Sequence, residues 1–279
     1  MLEFSVPEGV TRLESQAFSR CEKMQRISLP ESVNFIGNSA FFTCYKLEEI
    51  VIPEAVTEIK DYAFALCTTL SEIAVPNKVK RLEGGTFKEC SHLKKVTLGY
   101  RLENVNYSAF EKCSSLSALY ANSPVPPSVN KKFTDIDLET CVLYVPAAYI
   151  DAYREAEVWK EFAHIEVNPN APEPIFLITY EVDGEVVQVD SVKYGDAINL
   201  MEAPSKEGFI FSGWSGYPEN LTMPAADIVV TGSFSVDGIE HIAGDDAPAS
   251  VTYDMYGRQV VAPQPGTLYL CGNRKLIAR

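Results

Sequence analysis

Along the first 120 residues, apolar side chains return with a period of 23. One column holds Phe18, Phe41, Phe64, Phe87 and Phe110. Three residues on, a second holds Cys21, Cys44, Cys67, Cys90 and Cys113. Met24, Leu47, Leu70, Leu93 and Leu116 come next, followed by Ile27, Ile50, Ile73, Val96 and Leu119. A proline column (Pro30, Pro53, Pro76) is replaced by Gly99 in the fourth copy. Val33, Val56, Val79 and Leu102, then Ile36, Ile59, Leu82 and Val105, complete the unit. No gap or insertion breaks this register, so chance is a poor explanation.

A fixed period in this range, with Leu-x-x-Ile-x-Ile at its centre, is the mark of a leucine-rich-repeat solenoid of short parallel strands. One coil of 23 residues cannot enclose its own apolar side chains. Stacked coils, spaced by roughly 4.8 Å, merge their columns into one continuous core. The alternation over residues 49–53 predicts a short strand, with Ile50 and Ile52 inward and Glu49, Val51 and Pro53 outward. The outward positions then line an extended concave face. They are Arg26 and Ser28, Glu49 and Val51, Glu72 and Ala74, Lys95 and Thr97, Ala118 and Tyr120. These are the candidate binding residues. Equally, each could be no more than a solvated sheet position.

The fifth copy leaves the register at Ser123-Pro124-Val125-Pro126-Pro127, and residues 128–140 read as an inserted, solvated loop. Its Asp135, Asp137 and Glu139 could offer oxygen ligands to calcium, but the glycine and distal glutamate of an EF-hand loop are missing. Val142–Val145 reads as a final strand. From Pro146, a helix near 147–163 is predicted by the spacing of Tyr149, Ala152, Tyr153, Ala156, Trp159 and Phe162. It would cover the open end of the solenoid, which a repeat array requires. The alternative for Tyr149, Tyr153 and Trp159 is an aromatic ligand platform.

The predicted domains are a solenoid with its cap at 1–167, a proline-rich linker at 168–174, a β domain at 175–236, and a linker with a terminal β segment at 237–279. Within the β domain, Phe176, Ile178 and Tyr180 alternate along a strand, Asp183-Gly184 signals a type I′ hairpin, and Glu185 to Val189 form the return strand. Phe209, Phe211 and Trp214 are expected in its core, because so small a domain needs large buried residues. A carbohydrate platform is the competing reading.

The string Ala-Phe-x-x-Cys-x-x-Leu-x-x-Ile-x-Ile-Pro-x-x-Val-x-x-Ile resembles the BspA-like leucine-rich repeats of Bacteroidetes and protist surface proteins, over residues 1 to about 165. Leu143-Tyr-Val-Pro146, with the Ala-Tyr and Trp-x-x-Phe that follow, is similar to the C-terminal closure of those arrays. Val192, Tyr194-Gly195, Pro204, Gly208-Phe209, Phe211-x-Gly-Trp214 and Met223-Pro224 resemble the Listeria–Bacteroides repeat, a small β-grasp-like module of surface proteins. Tyr253-Asp-x-x-Gly-Arg258, Gly266-x-x-Tyr269 and Lys275-Leu-Ile277 resemble a Bacteroidetes C-terminal sorting tail built as a short β-hairpin. These resemblances imply a secreted or surface-displayed adhesion protein without catalytic residues, binding extracellular protein or glycan. A stalk or spacer is the alternative. A monomer is expected. The chain opens partway through a coil with no N-terminal cap. It is therefore read as trimmed from a longer protein, its export signal removed.

Composition narrows the function further. The net charge is −14, which repels nucleic-acid phosphates. No apolar run is long enough to span a membrane. Residues 171–236 carry ten carboxylates against two basic side chains, so the acidic excess sits mostly outside the repeats, where it aids solubility or meets a basic partner. The repeat cysteines share one inward column. Stacked neighbours at that spacing lie beyond disulfide reach, so they read as buried free thiols. A metal ladder lacks histidine partners. The three histidines, His92, His164 and His241, are scattered. No nucleophile elbow, phosphate loop, zinc spacing or dinucleotide fingerprint occurs, so no catalytic, cofactor or metal residues are assigned.

Overall fold

The computed structural model describes residues 2–133 and 135–236, together with the strands Ile239–Ile242, Thr252–Asp254, Gln259–Val260, Leu268–Cys271 and Arg274–Ala278. The chain forms two compact units. One takes in Met1–Phe176, Val192–Asp196 and Thr222–Ala226; the other takes in Leu177–Ser191, Ala197–Leu221 and Asp227–Arg279.

The first unit is a solenoid of parallel strands placed 23 residues apart. Each of the first six coils gives one strand to each of two rows, and two further strands extend the first row. In the first row Glu3–Ser5, Arg26–Ser28 and Glu49–Ile50 pair in register, Glu3 beside Arg26 beside Glu49. A further ladder follows, Glu72–Ala74, Lys95–Leu98, Ala118–Ala121, Val142–Val145 and His164–Val167. The second row has two ladders of three strands, from Arg12–Leu13 to Glu58–Ile59 and from Arg81–Leu82 to Ser128–Val129. Both rows divide between the third and fourth coils. There the backbone is tied elsewhere, by N–H groups of Tyr62, Phe64 and Leu66 donating to the carbonyls of Gly84, Thr86 and Lys88.

The columns stack as the period requires. Rings from Phe18 to Phe110 lie 5.1 to 5.8 Å apart, nearly parallel, tilted by 7 to 19°. Phe41, Phe64, Phe87 and Phe110 are buried, with Cys44, Cys67, Cys90 and Cys113 beside them. The thiols are free, and each has a partner that the period alone does not reveal. Cys44, Cys67, Cys90 and Cys113 donate from Sγ to the carbonyls of Phe18, Phe41, Phe64 and Phe87, at 3.0 to 3.3 Å. Each of those carbonyls also accepts the N–H of its own coil's cysteine. A thiol small enough for the column therefore adds a hydrogen bond between coils.

Four expectations for the solenoid need correction. Pro53 is buried, as are Pro30 and Pro76, because the strand ends before it and the chain turns inward; its carbonyl accepts the Val56 N–H at 3.0 Å. Residues 128–140 are more than a solvated loop. Ser128–Val129 adds a strand to the second row, while Phe133 and Ile136 are buried. Phe133 meets Phe110 edge-on at 6.2 Å and so closes the ring stack. Third, no continuous helix spans 147–163. An α-helix of six residues, Ile150–Glu155, lies between single turns at Ala147–Tyr149 and Trp159–Glu161. Ala156 turns extended and Val158 is left-handed at φ 73°. The break lets Tyr153, Val158, Trp159 and Phe162 all reach the core, leaving Ala152 exposed. Tyr153 Oη donates to the Ser123 carbonyl and Trp159 Nε1 to that of Pro127. These groups serve closure, whereas a ligand platform would need them exposed. Finally, Val142–Val145 is not the last strand, since His164–Val167 pairs beside it.

In the sheet that makes up most of the second unit's described core, Ile175–Val182 lies between Glu185–Lys193 and Ile228–Gly232, and the first two residues of the one strand and the last two of the next count with the first unit. Asp183 and Gly184, at φ 52° and 86°, are both left-handed, as a type I′ turn demands. Ile178, Tyr180, Val182, Ile198 and Val230 are buried. The expected aromatic core is corrected here. Phe209 is exposed, and Phe211 and Trp214 are half-buried, because Phe209–Phe211 pairs only with Phe234–Val236 in a two-stranded sheet. Beyond these, Ile239–Ile242, Arg274–Ala278, Leu268–Cys271, Thr252–Asp254 and Gln259–Val260 pair in that order. Of the sorting-tail pattern, Gly257-Arg258 and Gly266 lie outside the described residues, as does the stretch 243–251.

Candidate interaction face

The outward residues of the first row form two columns on one sheet face. In the first, Glu3, Arg26 and Glu49 are adjacent, then Glu72, Lys95, Ala118, Val142 and His164. In the second, Ser5 stands beside Ser28, and Ala74, Thr97, Tyr120, Tyr144 and Glu166 run side by side. Val51 is 71% exposed between them. The candidate residues are thus gathered on one face. Pleating alone explains this: alternate side chains leave opposite sides of a strand, and the inner set is consumed by the core.

The two parts of the face differ in character. Over the first coils charges alternate, and Arg26 lies 3.9 Å from Glu3 and 3.8 Å from Glu49. Lys95 lies 3.7 Å from Glu72. All are exposed pairs, each contributing about 0–1 kcal/mol. Two shallow grooves cross this region. One, of about 320 Å³, is lined by Glu3, Phe4, Arg26, Ser28, Glu49 and Val51. The other, of about 340 Å³, is lined by Glu49, Val51, Glu72, Ala74, Lys95 and Thr97.

Tyr120 lines neither groove. It stacks on Tyr144 at 4.6 Å and 15°, both rings half-buried. Lys95 Nζ lies 5.3 Å from the Tyr120 ring centre. Burial of the ring, then the nearby Glu166 carboxylate, raise the Tyr144 hydroxyl above its ordinary range. Sequence reasoning named Tyr120 and missed Tyr144, Val142, His164 and Glu166, which extend the same columns. A signal was present. Leu143-Tyr144-Val145 repeats Leu119-Tyr120-Ala121 at a spacing of 24 residues, one more than the period, so the insertion hid it.

Chemically, the face can recognise by charge and by aromatic contact. Three of the column's thiols are unsuited to act as nucleophiles. Burial pushes Cys67 and Cys90 well up and Cys113 up to about 12, so they stay protonated and enclosed. His92 and His164 are exposed. Among the described residues no group of three or more His, Cys, Asp or Glu side chains is placed to hold a metal ion, Asp135, Asp137 and Glu139 included. No described helix is long and apolar enough to cross a membrane.

Residues 1–117 match the family model for the BspA type leucine rich repeat region, in six copies. Residues 176–233 match the model for the Listeria-Bacteroides repeat domain. No curated protein matches the chain. Among solved structures, a leucine-rich repeat protein of T. pallidum is 24% identical, with a TM-score of 0.43, over 57% of this chain and 80% of that one. The pneumococcal vaccine antigen PcpA is 23% identical, TM-score 0.46, over 60% of this chain and 41% of its own. A leucine-rich repeat protein from Bacteroides ovatus is 21% identical, TM-score 0.35, over 60% and 52%. This chain therefore spans about half the length or less of the last two. Its first 117 residues belong to the BspA-type leucine-rich repeats, and residues 176–233 belong to the Listeria–Bacteroides repeats.

Proposed function

We propose that this chain is a non-enzymatic binding protein of the cell surface or extracellular space, and that it recognises a protein or glycan through the outward face of the solenoid's first strand row. The observation that carries this is the stacked Tyr120–Tyr144 pair beside Lys95. It sits on an unbroken ladder of five strands. Half-buried aromatics beside a cation, on a rigid backbone, are the kind of group that carries interface energy at low entropic cost. Arg26, Ser28, Glu49, Val51, Glu72, Ala74, Lys95 and Thr97 would set orientation and exclude wrong partners by charge.

The test is binding to arrays of extracellular-matrix proteins and glycans, followed by titration of any hit. Changing both Tyr120 and Tyr144 to Ser is expected to weaken binding by roughly tenfold or more. Reversing Glu49, Glu72 and Lys95 together is expected to slow association. A hit indifferent to both variants would move the site off this face.

A spacer role is the second reading, and the ion pairs favour it. Arg26 and Lys95 already face carboxylates of their own chain. On that reading the arrays give no saturable ligand.

A further inference from the structure

The Glu185–Lys193 strand stands at one end of its three-stranded sheet. Ile175–Val182 lies on one side of it, and among the described residues no strand lies on the other. Proteins usually protect such edges with proline, lysine, bulges or a covering element. This strand runs nine residues, long for an edge, has no proline, and holds its only lysine at the last position. Val186, Val187 and Val189 are 58%, 51% and 52% exposed, so β-branched side chains meet water on both faces of the strand.

The order of residues carries a second, independent signal. Counted outward from Val189, Gln188 mirrors Asp190, Val186 mirrors Val192, and Glu185 mirrors Lys193. An antiparallel pairing of this strand with itself, with the two-fold axis at Val189, sets opposite charges across both ends. It also sets valine against valine at three places and Val187 against Ser191 at two, and it brings each Gln188, which already donates to Asp190 of its own chain at 2.9 Å, opposite the partner's carboxylate. The opposite-charge and valine pairs are favourable across strands. Moving the axis to Gln188 sets Val186 against Asp190, and moving it to Asp190 sets Val187 against Lys193. The Val189 axis, whose one mismatch is Val187 with Ser191, is the most complementary of the three. Lys193 also reaches Glu173 at 2.6 Å, an exposed pair of about 0–1 kcal/mol that a partner's Glu185 can share.

We propose that this edge docks a second copy of the chain by antiparallel strand addition centred on Val189. An isologous contact of this kind closes on itself and leaves no free edge. It buries less than a standard interface of roughly 1,600 Å². The association is accordingly weak, with a Kd from micromolar to millimolar. At ordinary concentration such a chain stays monomeric, and it pairs where copies are crowded together.

Sedimentation equilibrium of the full chain, kept reduced, from about 10 µM to about 1 mM spans that range. The expected result is a monomer–dimer equilibrium. Val189→Lys places two like charges on the axis, and Glu185→Lys opposes lysine to lysine. Each is expected to weaken dimerisation at least ~10-fold, while the double change Glu185→Lys with Lys193→Glu restores it to within ~3-fold. Trp214 fluorescence on denaturation checks that every variant is folded. A chain monomeric throughout overturns the proposal. So does a dimer that survives Val189→Lys, or a charge swap that fails to restore pairing.

Discussion

Aromatic residues are arranged by opposite rules in the two halves of this molecule. In the solenoid, Phe41, Phe64, Phe87 and Phe110 are buried, each ring stacked on its neighbours in adjacent coils. In the Listeria–Bacteroides module, Phe211 and Trp214 meet edge-on at 4.9 Å yet stay half-buried, and Phe209 is exposed. The difference lies in what surrounds each ring. A coil inside an array has a layer above and a layer below. A domain of about 60 residues has too little interior to cover every large side chain. Repetition therefore produces a dense core from ordinary residues, whereas the module relies on a few, chiefly Tyr180, Ile178 and Val230.

Alkali should separate the halves most. In the solenoid Cys67, Cys90 and Cys113 are buried and their thiols are raised, the last to about 12. Unfolded thiols ionise near pH 8.5–9. Above that, the unfolded chain has released protons that the folded chain still holds, so through these three groups stability falls as pH rises and is unaffected below, while Cys44, lowered chiefly by its hydrogen bond with Cys67, acts in the opposite sense. Each thiol takes away up to ~1.4 kcal/mol per pH unit, or about 4 kcal/mol per unit for the three. In the module, burial raises Tyr180, a single group whose unfolded value is near 10. The chain's two tryptophans fall one in each unit, Trp159 and Trp214. Denaturation followed in Trp214→Phe and Trp159→Phe variants reads each half alone. Between pH 9 and 11 the solenoid midpoint should fall much faster. Replacing the three cysteines with alanine should lessen that slope, the remainder coming from Cys141, which burial pushes up to about 12, and from the buried Tyr153.

Phe64→Ala comes next. It removes a fully buried ring stacked at 5.1 Å on Phe41 and 5.7 Å on Phe87. A loss of about 3–5 kcal/mol is expected, read by Trp159, with the Trp214 transition unmoved. Phe209→Ala in the module should cost less, about 1–2 kcal/mol, since that residue keeps 37% of its surface exposed. Equal losses would end the contrast.

This asymmetry also governs what the sequence reveals. The solenoid was legible because each core position is written four or five times, so Phe64 is identified by Phe41 and Phe87 as much as by itself. The gathering of Arg26, Glu49, Glu72, Lys95 and Tyr120 on one face followed from the same period. Legibility failed wherever the copying stops. Phe133 and Ile136 occur once, in an insertion, and nothing nearby marks them as the lid of the phenylalanine stack. Tyr144 was lost to a shift of one residue. The cap satisfied a helical spacing at Tyr149, Tyr153, Ala156 and Trp159, but Val158 turns left-handed because the core rewards Trp159 and Phe162 more than the helix does. In the module, hydrophobicity suggested burial for Phe209, and only strand pairing decides how much cover it receives. The cysteine–carbonyl bonds link positions 26 residues apart, a relation that appears only once coils are stacked.

A smaller effect tests whether repetition also fixes strain. Arg20, Thr43, Leu66, Glu89 and Lys112 occupy one column and all are left-handed, at φ from 58° to 63°. Thr43 is the poorest fit. Its side chain is β-branched, which makes this conformation costly. Its Oγ1 is buried without a hydrogen-bond partner. The position is held by its backbone, whose N–H donates to the Ala65 carbonyl at 3.0 Å, and glycine keeps that bond. Thr43→Gly removes the strain and the unpaired hydroxyl, against about 0.5–1 kcal/mol of added backbone entropy in the unfolded chain. The balance is a gain of about 1 kcal/mol, or roughly 2–4 °C in Tm for a solenoid of this size. The control is Thr57→Gly. Thr57 is not among the left-handed residues, and its hydroxyl donates to the Asn34 carbonyl. Glycine there should lower Tm. A fall at both sites would mean that the array tolerates Thr43 without strain, and that its left-handed column is set by packing between coils.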